Sequence, residues 1–292
     1  MSRTVILVLV LCSLLFTVSK AHGGAYSADE AVIGRVRSHT VKKGESLMEI
    51  ARRFDLGFNE IAEANPGLDP FVPGKGAKVV IPASWIVPDA APADGIVINL
   101  SEMRLYYFVT SGDERLVITF PIGIGSEEND TPVGEFRLIQ KIEDPSWHVP
   151  ASIMKEKPEL PRVVPPGPDN PLGSHAMRLS ERDILIHGTN KPWGVGRKVS
   201  HGCIRLYPED IPYLFERVPV GARVTIVRQP VKVGVKGGKV YIEAHRDQFE
   251  NIDYFNEATG LLIKNNLLNG VNAQKLFQAI GERKGIPVDI SK

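Results

Sequence analysis

Cysteine is nearly absent from this chain. There are 2, Cys12 and Cys203, which excludes a disulfide-dense scaffold. It also removes the paired Cys-x-x-Cys spacings of structural zinc sites. An excess of charge of either sign is missing too. The formal net charge of +1 leaves no polybasic footprint for nucleic acid, so no nucleic-acid partner is expected. Beyond residue 21 no apolar run approaches the roughly 20 residues that a membrane-spanning helix needs. Nothing marks the pair of placed carboxylates that glycoside hydrolysis requires.

What is present begins at the N-terminus. Arg3 precedes an apolar run from Val5 to Val18, and Ser19 and Ala21 occupy the small positions before a cut. This three-part pattern predicts a secretory signal peptide over 1–21, and hence an exported chain. Cys12 falls within it. The remaining cysteine then sits in an oxidising compartment with no partner in its own chain. It is a buried small hydrophobe, an intermolecular link or a reactive thiol, and its neighbours must decide.

Residues 38–82 read as a small unit ordered strand, helix, helix, strand. A strand at 39–41 meets a turn at Lys43-Gly44. Ser46 and Glu49 form a capping box, and Leu47, Ile50, Ala51 and Phe54 recur at helical spacing. A second helix over 59–65 stops at Pro66-Gly67, and "AKVVIP" closes the unit. The stretches "HTVKKGESL", "IAEANPGLD" and "VPGKGAKVVIP" resemble the LysM domain, a glycan-binding module. Met48 departs from that pattern, in which tryptophan is common.

Residues 83–94, rich in Pro, Ala and Asp, read as a linker. Short segments such as "GIVINL", "RLVITFPIGIG", "HAMRLS" and "DILIHGT" follow, rich in β-formers and bounded by turn residues. The expected fold class is mainly β, a sandwich or barrel-like domain over 95–228. The proline-rich stretch 158–173 interrupts it and cannot be a central strand. It is a surface excursion or a wall of the site. "PEDIPYLFERV" predicts a helix with acids in its first turn. Residues 229–292 form an α/β extension: a hairpin turned at Gly237-Gly238, then a helix capped by Asn272 and ended by Gly285.

Two clauses carry chemistry. "ILIHGTNKPWGVG" puts His187 and Gly188 at the end of an apolar strand. "VSHGCIRLY" puts His201, Gly202 and Cys203 at the start of another. Neighbouring strands would bring His187 beside Cys203. A thiol of ordinary pKa, ~8.5, is mostly protonated at neutral pH, so an imidazole is needed to take its proton. The imidazole needs a third group to fix its tautomer. No carboxylate adjoins either clause, and the Gly188 carbonyl can serve. Amides at Gly202 and Cys203 can hold an oxyanion. A zinc held by His187, His201 and Cys203 is the chemical rival, but usual ligand spacings are missing. Trp193 is expected to pack on the sheet, and His175 to lie on a strand surface.

These clauses resemble the active-site motif of the YkuD-type L,D-transpeptidases: a His-Gly pair, a variable loop, then Ser/Thr-His-Gly-Cys, here Ser200-His201-Gly202-Cys203. "IGIGSEENDTPVGEF" and "RVVPPGPDNPLGSHAMRL" are similar to that family as well. The resemblance implies Cys203 as nucleophile, His187 as general base and Gly188 as orienting carbonyl. Ser200 belongs to the same motif, and His201 and Arg205 would shape the substrate site. Many members carry Asn at the position of Arg205. It implies an enzyme of the periplasm and cell wall acting on peptidoglycan, with glycan and peptide stems as partners, no metal and no organic cofactor. The acyl acceptor is left open: a second stem, a lysine of a wall-anchored lipoprotein, a free amino acid, or water, which would make it an L,D-carboxypeptidase. A non-catalytic wall-binding protein with an inert thiol is the reading from another class.

Overall fold

A computed structural model describes residues 24–92, 94–181, 184–247 and 251–292. The expected signal peptide lies outside these residues. The architecture is mainly β, with a curled catalytic sheet, a small LysM-like unit and an α/β extension, as the sequence suggested.

The curled sheet orders its strands 25–27, 114–121, 104–111, 95–99, 223–227, 134–143, 175–179, 185–187, 204–205. The strand Gly95–Asn99 and its neighbour Arg104–Ser111 are buried along most of their length because both faces are covered. Ile96, Ile98, Leu105, Tyr107, Ile118 and Phe120 face one core, shared with Ile186, Ile204, Ile211 and Leu214. Val97, Tyr106, Phe108 and Val117 alternate to the opposite face. At the far end the sheet closes on itself. Gly123, just past strand 114–121, exchanges two backbone hydrogen bonds with Arg205, 2.8 and 2.9 Å. Lys198–Ser200 also pairs in parallel with Ile124–Gly125. The seam of the curl therefore runs beside Cys203.

The LysM-like unit has the expected order. Arg37–Thr40 pairs antiparallel with Lys78–Ile81, and the helices Leu47–Arg53 and Phe58–Ala64 lie between. The capping box forms as the sequence indicates: Ser46 Oγ accepts from Glu49 N, and Glu49 Oε2 accepts from Ser46 N at 2.8 Å. Leu47, Ile50, Ala51, Leu56, Ile61, Val79 and Ile81 are all 0% exposed, each large aliphatic side chain contributing about 1.5–3 kcal/mol by burial.

This core does not stop at the unit's edge. It is continuous with Val97, Tyr106, Phe108 and Val117 of the catalytic sheet. Residues 83–94, read as a linker, are correspondingly not an open tether. Ser84–Ile86 pairs with Val32–Gly34, and Trp85 is buried in the shared core. The Pro-Ala-Asp composition hid one buried tryptophan and one isoleucine. The backbone contact is as close. Phe58 N and Asn59 N donate to the carbonyls of Val195 and Gly196, both at 3.2 Å. A Cβ at Gly196 would stand 2.1 Å from Phe58 N, so only glycine fits there.

The extension carries its own core. Val231–Lys236 and Lys239–Ala244 form the expected hairpin, joined by Val288–Asp289. The helices Tyr254–Lys264 and Ala273–Glu282 cover it. Asn272 caps the second helix. Its C-terminal turn comes at Arg283, with φ 47°, two residues before the Gly285 that the sequence indicated. The tail's Lys232 reaches back into the molecule. Its ammonium lies 2.8 Å from Glu102 and 3.3 Å from Glu243, and Tyr106 Oη donates to Glu102 at 2.7 Å.

Candidate active site

His187 ends the strand Leu185–His187, which runs parallel to Ile204–Arg205. The register pairs Ile186 with Ile204 and His187 with Arg205. Side chains alternate along strands, so Cys203 shares the face of Arg205 and His187. Cys203 immediately precedes the strand Ile204–Arg205, which lies alongside the end of the strand that carries His187. The two clauses singled out in the sequence meet at one sheet edge.

The imidazole is 3% exposed. Its Nδ1 lies 2.6 Å from the Gly188 carbonyl oxygen. A carbonyl only accepts, so Nδ1 carries the proton and Nε2 keeps its lone pair. The Leu172 backbone also bears on the ring, favouring its protonated form. Burial, and then the charge of Arg205, push the His187 pKa down to about 3. The ring is a neutral base over the whole ordinary pH range. Arg205 is itself lowered by burial, against which the Cys203 sulfur pulls it up. One cation therefore opposes an imidazolium and favours a thiolate. Among the described residues, Arg205 Nε has no hydrogen-bond partner.

Gly188 has a packing reason to be glycine. A Cβ there would meet Ile211 Cγ2 at 2.9 Å. Gly202 adopts φ +93°, a conformation other residues avoid, and it turns the chain into Cys203. Cys203 is a partly exposed thiol. Ser200 is buried, and its hydroxyl donates to the Cys203 carbonyl. His201 is exposed, its Nε2 3.6 Å from Glu156 of the helix Ala151–Glu156. Trp193, expected to pack on the sheet, is 49% exposed in the short turn Pro192–Gly194. His175 lies on its strand, edge-on to Phe215 at 4.6 Å.

Two supports carried no mark that sequence reasoning used. Asn170, fully buried in the proline-rich lobe, donates to the Pro145 carbonyl at 2.8 Å and accepts from Leu172 N at 2.9 Å. It thereby places the Leu172 backbone at His187. The lobe packs against the His187-Gly188 corner, where a Cβ at Gly173 would stand 3.0 Å from the Gly188 carbonyl carbon. Thr131, also buried, donates to the Gly202 carbonyl at 2.9 Å and accepts from Gly125 N at 3.0 Å. It is a positioning residue for the turn that presents Cys203. Thr131→Val keeps the shape and orphans both partners, at about 1–3 kcal/mol. Acylation of Cys203 by a carbapenem should slow roughly tenfold in stopped-flow traces, with Thr131→Ser restoring most of the rate. An unchanged rate in the valine variant would remove Thr131 from this role.

A group with metal-ligand spacing exists among the described residues, at Glu102, Glu243 and His245. The Lys232 ammonium occupies the middle of it, so the carboxylates already have their cation.

Residues 93–226 match the L,D-transpeptidase catalytic domain, YkuD, and residues 39–72 match the LysM domain. The chain is 36% identical over 280 residues to "Probable L,D-transpeptidase YcfS" of Escherichia coli (strain K12), covering 91% of this chain and 87% of that protein. The chain belongs to the L,D-transpeptidase family. It is also 38% identical over 279 residues to "Probable L,D-transpeptidase YbiS" of the same organism, covering 89% of each. A similar likeness, 38% over 260 residues, covers 83% of "Probable L,D-transpeptidase ErfK/SrfK" of Salmonella typhimurium. The similarity to these transpeptidases runs through the LysM unit and into the extension, as well as the catalytic sheet. Among the described residues no helix is long and apolar enough to cross a membrane.

Proposed function

We propose that this L,D-transpeptidase acts on peptidoglycan by thioester exchange at Cys203. The donor is a tetrapeptide stem, cleaved between the L-centre of its diamino acid and the terminal D-alanine. His187 Nε2 takes the thiol proton as sulfur attacks the carbonyl carbon. Amides at Gly202 and Cys203 hold the oxyanion. The C–N bond then breaks, His187 returns the proton to the departing D-alanine, and a thioester remains. An amine attacks that thioester, giving a 3→3 cross-link or attachment of a lipoprotein lysine. The LysM unit holds the glycan. The chain is exported to the periplasm after loss of residues 1–21.

One observation carries this reading: the 2.6 Å contact that commits Nδ1 to the Gly188 carbonyl, at the end of the strand whose parallel neighbour, Ile204–Arg205, directly follows Cys203. That arrangement leaves a neutral, lone-pair-bearing nitrogen on the face of the sulfur. The test uses the mature chain and a carbapenem. A covalent mass increase should map to the peptide containing Cys203. Purified muropeptides should then yield free D-alanine together with cross-linked dimers. Release of tripeptide alone would make water the acceptor, and no adduct on the folded chain would end the acyl-transfer account.

A further inference from the structure

Between Gly125 and Thr131 the chain runs through Ser126, Glu127, Glu128, Asn129 and Asp130. None of these is apolar, so hydrophobic burial does not fix the course of the loop. Yet the loop grips the turn that presents Cys203 at two points. Ser126 N donates to the Ser200 carbonyl at 2.8 Å, and Thr131 Oγ1 donates to the Gly202 carbonyl at 2.9 Å. The second bond bears on chemistry. A peptide unit is planar, so the Gly202 carbonyl and the Cys203 N–H turn together. Whatever sets Thr131 therefore also aims the amide that would face an oxyanion.

The charged tie on this loop leads to the extension. The exposed Asp130 carboxylate accepts from the Arg228 guanidinium at 2.7 Å. Arg228 lies just past the strand Arg223–Val227, where the catalytic sheet gives way to the extension. Its guanidinium is also 3.7 Å from the carboxylate of Asp247, a side chain only 1% exposed. Asp247 is held from two sides. Ser101 Oγ of the catalytic sheet donates to its carboxylate at 2.7 Å, and its own N–H donates at 3.0 Å to Tyr254 Oη, at the start of the helix Tyr254–Lys264. A planar guanidinium between two carboxylates has its orientation set by both.

Taking acylation of Cys203 as proposed above, we infer that Asp247, Arg228 and Asp130 are positioning residues for the nucleophile turn. Asp247 of the extension orients Arg228. Arg228 holds Asp130, and Asp130 keeps the adjoining Thr131 under the Gly202–Cys203 peptide. The extension is then part of how the oxyanion amide is aimed, as well as a module packed on the sheet.

The test compares two reactions of the same thiol in the full chain, well below the Tm of each variant. Acylation by a carbapenem passes through an oxyanion. Alkylation by iodoacetamide displaces iodide and forms none. In Asp130→Asn, on an exposed loop where folding is not at risk, acylation at saturating carbapenem should slow roughly tenfold, a fraction of what outright loss of an oxyanion donor costs. The half-saturating concentration and the alkylation rate should stay at their native values, and Asp130→Glu should restore most of the acylation rate. Arg228→Gln should show the same split. The pair Asp130→Asn with Arg228→Gln, which leaves the net charge unchanged, should be no slower than either alone, because both cut one link. Asp247→Asn keeps an acceptor for Ser101. It should slow acylation in the native chain and add nothing in the Arg228→Gln background. Native acylation in Asp130→Asn, an equal fall in alkylation, or an Asp247→Asn effect that persists without Arg228 would overturn the assignment. Absence of any carbapenem adduct on the native chain would instead count against the proposed reaction.

Discussion

In the variant His187→Gln, acylation of Cys203 is expected to fall by roughly 10²–10⁴-fold. Cys203→Ala should take no adduct at all. Glutamine fills the space of the ring and can still donate to the Gly188 carbonyl, so the loss isolates proton transfer from shape. The pH behaviour follows from the buried ring. His187 is held neutral down to about pH 3 by burial and by Arg205, so the acid limb of the acylation profile should not fall at the ordinary imidazole value. A limb near 6.5 that vanished in His187→Gln would contradict the neutral-base assignment.

Stability carries the same signature. An unfolded chain protonates this histidine near 6.5, while the folded ring resists until about 3. Between those values the unfolded state binds the extra proton, so folding stability falls as pH drops through that window. His187→Gln should flatten this part of the stability–pH curve, measurable as urea midpoints at a series of acid pH values.

Glu60→Ala is expected to be the most destabilising single change, at about 3–5 kcal/mol. Glu60 and Arg104 are 1% and 0% exposed as side chains and meet at 2.8 Å. Trp85 Nε1 donates to Glu60 at 2.9 Å, and the Arg104 guanidinium lies 4.1 Å from the Trp85 ring. Removing the carboxylate leaves the buried guanidinium, between the LysM helix and the sheet, with only the Asp55 carboxyl, which burial pushes up to about 6 and so toward its neutral form. Thermal unfolding should begin lower by the order of 10 °C. Glu60→Met combined with Arg104→Met should recover much of that loss, because neither charge then has to be desolvated. A Tm for Glu60→Ala within a degree or two of native would mean that water reaches the pair.

The parts of this molecule that were legible in the sequence are those governed by local rules. The capping box at Ser46 and Glu49, the helix spacing from Leu47, the hairpin at Gly237-Gly238 and the two clauses around His187 and Cys203 each sit within a few residues of one another. The parts that were not legible depend on partners far away in the chain. Glu60, Arg104, Glu102 and Lys232 are charged, and charged side chains normally stay in water. Nothing beside them announces that each is buried against another. Asn170 and Thr131 read as loop polars for the same reason. Residues 83–94 looked like a tether because composition registers proline and alanine and overlooks where a single Trp85 goes. Strand pairing of Ala25–Ser27 with Leu116–Ile118 was likewise invisible, since three residues carry no periodicity.

The buried Lys232 has a consequence for how the chain loses its structure. It comes from the extension, and its ammonium answers Glu102 of the catalytic domain, whose backbone carbonyl accepts from Asn59 of the LysM helix at 2.9 Å. Loss of the extension would strand Glu102, and loss of the LysM helix would strand Arg104, each in the catalytic sheet. The three modules are therefore expected to melt as one cooperative unit, in a single calorimetric transition, despite a sequence that reads as beads on a string.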